Sequence, residues 1–185
     1  TGAFIDQGRC YEMIVNRGNE TPAPWSNVMA NANFGCLLSE SGGGYTWFGN
    51  SRENKLTAWS NDPTSDPASE ILYLRDLQGD FHWSPVSSLG RDLPRRVVHG
   101  QGYTLFGVEH KGIRSEVFVS VHATEPLKIV RVRLHNSTGA SRTLQLTYYA
   151  ETVMGVSREE TSLHQVSSLD AERAAVMMGN GYHPD

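Results

Sequence analysis

Apolar and polar residues alternate with a period of two along much of the chain, and that alternation sets the expected fold. Between 113 and 122, Ile113, Val117, Val119 and Val121 fall on one face while Arg114, Glu116 and Ser120 fall on the other. Between 127 and 135, Val130, Val132 and Leu134 face one way and Arg131, Arg133 and His135 the other. Leu144, Leu146 and Tyr148 repeat the pattern. Side chains that switch face at each residue belong to strands, and a polar opposite face marks antiparallel sheets with one buried side. Further strands are expected over 11–15, 34–39, 45–48, 71–76, 81–83 and 103–110, with a last hairpin, 163–169 and 174–180, about Asp170-Ala-Glu172. Residues 25–33 mix polar and apolar positions and are expected to hold one short turn. Residues 153–160 are ambiguous, and 84–91 is a serine-rich loop. Helical periodicity is nearly absent, so the expected class is all-β, a sandwich or barrel with Val117, Val119, Val130, Val132, Leu144 and Leu146 in its core.

Composition narrows the function. The 185 residues are enough for one domain with a sizeable core. Sixteen basic and 20 acidic residues give a net charge of −4, and without a basic stripe nucleic acid is not an expected partner. No apolar run approaches the ~18 residues of a membrane helix, so no direct membrane insertion is expected. Cys10 and Cys36 have no framework or metal-ligand spacing and read as reduced core residues. Thr1-Gly2 reads as the start of an excised piece, and the chain is expected to continue past Tyr182-His-Pro-Asp185.

Candidate chemistry concentrates in 40–66. Gly42-Gly-Gly44 frees the backbone for a tight turn at positive φ. An aromatic strand with Tyr45, Trp47 and Phe48 follows, then a long polar loop carrying Asn50, Arg52, Glu53, Asn54, Asn61, Asp62 and Asp66, flanked by Trp59. Rings beside amides, a guanidinium and carboxylates suit a pyranose, which has an apolar face and a rim of hydroxyls. The same residues also suit a hairpin whose aromatics fill a core and whose Asn and Asp side chains close turns. The pairs Asp62 with Asp66 and Glu53 with Asp62 have the residue types for glycoside cleavage, but spacing in sequence does not supply the separation. The seven histidines form no HxxxH or HxH pair, and no metal is expected.

The stretch also carries a resemblance. Thr21-Pro-Ala-Pro-Trp25-Ser-Asn27, Asn33-Phe-Gly35, Gly44-Tyr-Thr-Trp47, Asn50-Ser-Arg-Glu-Asn54, Trp59-Ser-Asn-Asp-Pro63, Ser65-Asp-Pro67 and Leu72-Tyr-Leu-Arg-Asp76 follow one family's order, continued by His99-Gly-Gln-Gly102 and Leu169-Asp170. The chain resembles the N-terminal β-sandwich region of glycoside hydrolase family 94, formerly glycosyltransferase family 36, in the version found in cyclic β-1,2-glucan synthases. Cellobiose and chitobiose phosphorylases are more distant members. The resemblance implies an antiparallel supersandwich of galactose-mutarotase-like form, spanning 1–185 as one domain of a larger bacterial chain. It implies inverting phosphorolysis or cyclic β-1,2-glucan synthesis by that parent, with inorganic phosphate as co-substrate and no other cofactor. The acid is expected in an (α/α)6 barrel outside this chain, leaving the sandwich non-catalytic. Implied partners are a β-glucan oligosaccharide, the barrel and a second copy in a homodimer. The implied location is cytoplasmic, on the inner face of the inner membrane where the parent is membrane-anchored. Trp47, Asn50, Arg52, Asn54, Trp59, Asn61 and Asp62 are the candidate substrate-binding residues. A stand-alone carbohydrate-binding module and, by fold analogy alone, an aldose epimerase are the competing readings.

Overall fold

The computed structural model describes residues 2–16, 18–87 and 93–182. Part of the expected 84–91 loop and the last three residues lie outside the described residues. Sixteen strands are described, with one short helix, α1 (Arg158–Thr161). They are β1 (Gly2–Ile5), β2 (Cys10–Val15), β3 (Ser26–Ala30), β4 (Phe34–Ser39), β5 (Gly44–Phe48), β6 (Lys55–Thr57), β7 (Glu70–Asp76), β8 (Phe81–Trp83), β9 (Arg95–Gly100), β10 (Tyr103–His110), β11 (Ile113–Val121), β12 (Lys128–Asn136), β13 (Leu144–Ala150), β14 (Thr152–Gly155), β15 (Gln165–Asp170) and β16 (Ala175–Asn180).

Every paired strand is antiparallel to its neighbour. One sheet has six strands in the order β1-β2-β9-β10-β11-β12. Facing it are a five-stranded sheet, β14-β6-β5-β4-β3, and a three-stranded one, β13-β7-β8. The all-β supersandwich expected from the sequence is the fold. Register follows the apolar face: Val117 opposes Val132 and Phe106, and Val119 opposes Val130 and Thr104. A one-residue slip would turn these side chains outward, so the buried face fixes the pairing.

The core has two parts. Met13, Val97, Phe106, Val117 and Val119 of the six-stranded sheet meet Met29, Cys36 and Leu38 of the five-stranded sheet, with Leu72 from β7. Beyond them Val108 and Ile113 meet Leu74, Phe81 and Trp83 of the three-stranded sheet. Both cysteines are free and buried.

Four expectations are corrected. Residues 25–33 hold a strand, β3, whose Asn27 and Met29 face the core. Their alternation is hidden by the polar Asn27, whose Nδ2 donates to the carbonyls of Gly100 and Tyr103 across the sandwich. β9 was not among the expected strands; its Arg95 is buried at 2% exposure, a charged residue on an inward face. Val130 and Val132 are half-buried, packed against the core's edge. Leu146, expected inside, is 51% exposed: it lies on β13, at the open side of the three-stranded sheet.

Candidate functional site

The β4–β5 turn is built to let other segments approach. Gly42 and Gly44 have φ of +86° and +140°. A Cβ on Gly44 would lie 2.0 Å from the Leu37 carbonyl oxygen, and one on Gly43 would lie 2.2 Å from Asp66 Oδ1. Asp66 fits into that space and accepts hydrogen bonds from Ser39 Oγ at 2.5 Å and from Ser41 Oγ. The polar loop is thereby pinned to the glycine turn, and Asp66 is spent in doing so.

From this turn β5 sends alternate side chains to opposite faces. Thr46 points into the sandwich, while Tyr45 and Trp47 point out. Outside, Trp47 lies on Gly35, where a Cβ would be 2.4 Å from its ring. Tyr45 stacks on Trp59 at 4.9 Å and 25°, and meets Trp47 at 5.1 Å and 39°. Trp47 and Trp59, 12 positions apart, are therefore joined through Tyr45, which is 9% exposed, while both indoles are half-buried. Burial pushes the Tyr45 phenol's pKa up, against the opposing effect of a hydrogen bond with Ser51.

Two turns frame these rings. In the first, Asn50 Oδ1 accepts from the backbone N–H of Arg52 and Glu53, at 2.9 and 3.1 Å, and the Asn54 N–H donates to the Asn50 carbonyl at 3.1 Å. Lys55 Nζ closes the turn on the Arg52 carbonyl at 2.7 Å. The Arg52 guanidinium, 86% exposed, approaches Glu53 at 3.3 Å, an exposed pair worth at most about 1 kcal/mol. In the second, Asp62 accepts from the Thr64 N–H at 2.9 Å and from Ser65 Oγ at 2.6 Å. These bonds hold its carboxyl below the usual range, Ser65 contributing most. Asn61 enters this turn at a φ of +48°. Asn50 and Asp62 thus shape the loop, and Arg52 offers the accessible fork of donors.

Beneath β5, on the inner face, lies a polar knot that sequence reasoning missed. Glu70 Oε1 accepts from Thr46 Oγ1 at 2.5 Å and Thr57 Oγ1 at 2.8 Å. Its Oε2 accepts from Lys128 Nζ at 2.5 Å and from the Tyr148 hydroxyl. Burial alone would raise the Glu70 pKa; the Lys128 ammonium and these hydrogen bonds outweigh it and hold the group at about 2. Five strands meet here: β5, β6, β7, β12 and β13. Nothing local signals it, since Lys128 and Tyr148 lie 58 and 78 residues from Glu70.

Stacked antiparallel sheets with an outward ring cluster and an arginine-bearing loop define a β-sandwich domain. The chain belongs to the glycosyl hydrolase 94 supersandwich domain family, whose model matches residues 9–185. It is similar to the cyclic beta-(1,2)-glucan synthase NdvB of Rhizobium meliloti (strain 1021), with 33% identity over 186 aligned residues that cover 100% of this chain and 7% of that protein. The N,N'-diacetylchitobiose phosphorylase of Vibrio furnissii is 28% identical over 174 residues, 92% of this chain and 21% of the phosphorylase. That of Vibrio proteolyticus is 26% identical over 187 residues, 99% of this chain and 22% of its own length. The chain thus spans less than a quarter of each of these relatives.

Proposed function

We propose that this domain is the non-catalytic sandwich of a β-glucan-acting enzyme, and that its 50–66 loop meets the sugar beside a separate helical catalytic barrel. The parent performs inverting phosphorolysis, with inorganic phosphate as co-substrate, or cyclic β-1,2-glucan synthesis. The observation that carries this reading is the Tyr45, Trp47 and Trp59 cluster, set on the outer face under a loop whose Arg52 is almost wholly exposed. An indole beside a planar fork of donors matches the apolar face and hydroxyl rim of a glucose unit. The relatives support it: one is named for making a β-linked glucan and two for phosphorolysis of a chitobiose. The non-catalytic part rests on the carboxylates. Asp62 and Asp66 are engaged in turn bonds, and Glu70 is held ionised by Lys128, so none is poised to protonate a leaving oxygen.

The remaining expectations join this proposal: a β-glucan oligosaccharide as ligand, the barrel as partner in the same protein, a homodimer, and a cytoplasmic location. The test is direct. Purified chain incubated with β-1,2-gluco-oligosaccharides or N,N'-diacetylchitobiose, with and without phosphate, should release no sugar phosphate and no reducing sugar. Sustained release of either would overturn the non-catalytic assignment.

A further inference from the structure

We propose a second sugar-binding site on the opposite side of the sandwich from β12, in the cleft between the β1–β2 hairpin and the connector 18–25. It takes a hexopyranose unit of an oligosaccharide on the Trp25 ring. The cleft opens because the two faces of the sandwich part here. β1 pairs with β2 so that Gly2 opposes Met13 and Phe4 opposes Tyr11. These four residues share the inner face, yet the five-stranded sheet leaves Phe4 73% exposed. The cleft is open to solvent and holds about 120 Å3, with Met13 and Val15 as floor, Trp25 as wall, and Asn19, Glu20 and Thr21 as rim.

Its aromatic wall is rigid. The Trp25 N–H donates to Glu40 Oε2 at 2.7 Å, and its carbonyl accepts from the Glu40 N–H at 3.2 Å. The same carbonyl lies 2.9 Å from His99 Nε2. Glu40 itself is buried at 3% exposure and also accepts from Thr21 Oγ1. Pro22 and Pro24 stiffen the connector between these anchors. On this fixed backbone the indole is 41% exposed. Tyr11 supports it at 5.2 Å, with Phe4 edge-on to Tyr11 at 5.0 Å.

The rim chooses the ligand. Glu20 accepts one bond, from the Gly18 N–H at 2.9 Å, and forms no ion pair among the described residues. An apolar helix or strand lying here would bury that carboxylate without a partner, and an anion would be repelled by it. A pyranose satisfies both surfaces: its C–H face covers the indole, and its hydroxyls donate to Glu20. Such pre-formed clefts with few polar groups are typical small-ligand sites. From the functional reading above the proposal takes only the sugar class; the site and its residues are separate.

The experiment is an NMR titration of the chain with 15N-labelled indoles, using linear β-1,2-gluco-oligosaccharides and N,N'-diacetylchitobiose as probes. The four tryptophans report separately, and Trp83, buried with its Nε1 3.4 Å from Ser115 Oγ, is the internal control. Saturable movement of the Trp25 resonance is expected with at least one probe, Trp83 staying still. Trp25→Ala should weaken binding at least tenfold, and Glu20→Gln several-fold with unchanged melting. The Gln variant keeps the proposal testable where the Ala variant fails to fold. Movement of Trp47 or Trp59 with Trp25 still would overturn this site and leave the functional reading intact. Movement of Trp25 alone upholds it whatever becomes of that reading. Silence of Trp25 at millimolar concentrations of both probes overturns it, as does binding unaffected by Glu20→Gln.

Discussion

Replacing Lys128 with Met should expose how much of this fold hangs on one buried ion pair. The Lys128 and Glu70 side chains are 11% and 8% exposed, with Nζ 2.5 Å from Oε2. Met keeps most of the volume and removes the charge, leaving a buried carboxylate with only hydroxyl donors from Thr46, Thr57 and Tyr148. Breaking one side of a buried pair typically costs about 3–5 kcal/mol. A second route gives a similar figure: holding a carboxyl at about 2 instead of 4.5 corresponds to roughly 3 kcal/mol of preference for the charged form. The surviving hydroxyl bonds argue for the lower end, about 3 kcal/mol, which for a chain of this length lowers Tm by about 6–12 °C. Because the folded-state pKa of Glu70 is depressed, its contribution is complete above pH 4.5 and drains away as pH falls toward 2. Thermal melting should therefore show a large gap between wild type and Lys128→Met at pH 7 and a much smaller gap at pH 3. The double variant Lys128→Met with Glu70→Gln should recover part of the loss. A Lys128→Met protein that melts with wild type at pH 7 refutes the reasoning, as does a gap that persists unchanged at pH 3.

Two further outcomes follow from single groups. His99, half-buried with Nε2 at the Trp25 carbonyl and Nδ1 3.1 Å from Thr104 Oγ1, has its pKa lowered by burial, against the opposing effect of the Trp25 bond. Its neutral form is favoured in the fold, so stability should be full above pH 6.5 and decline below it, and His99→Gln should flatten that part of a Tm-against-pH profile. Gly44→Ala would place a methyl 2.0 Å from the Leu37 carbonyl at a φ of +140°; backbone strain of this kind costs about 1–3 kcal/mol, and urea unfolding should show a loss of at least that size.

The sheet's middle was readable because its strands obey a local rule. The alternation around Val117 and Val119 placed β10, β11 and β12 within a residue or so of their ends: 103–110, 113–122 and 127–135 against Tyr103–His110, Ile113–Val121 and Lys128–Asn136. The β15–β16 hairpin was equally local. Where inward-facing polar side chains break the alternation, the pattern missed the strand: Asn27 on β3, which bonds across the sandwich, and the buried Arg95 on β9. β7 was placed, but the inward role of Glu70 at its start was not. Leu146 failed for the converse reason, an apolar residue on a face that this chain leaves partly uncovered. The candidate loop was legible as composition, with Trp47, Asn50, Arg52, Asn54, Trp59, Asn61 and Asp62 all seen. Its arrangement was not, because Tyr45 joins the two indoles and Asp66 anchors the loop to Gly43, contacts that only the folded hairpin creates.

The central claim is that the outward ring cluster and Arg52 meet sugar beside a catalytic barrel. It is tested most directly by Arg52→Ala in a protein carrying this domain together with its catalytic part, measuring melting temperature and β-glucan turnover on the same preparation. Arg52 is 86% exposed and pairs only with Glu53 among the described residues, so the change should cost no more than about 1 kcal/mol of stability. The account predicts turnover reduced by about tenfold, the loss of one charged hydrogen bond to sugar, with Tm unchanged within a few degrees. Normal turnover, with Tm lowered or not, would contradict it and leave the loop a structural element.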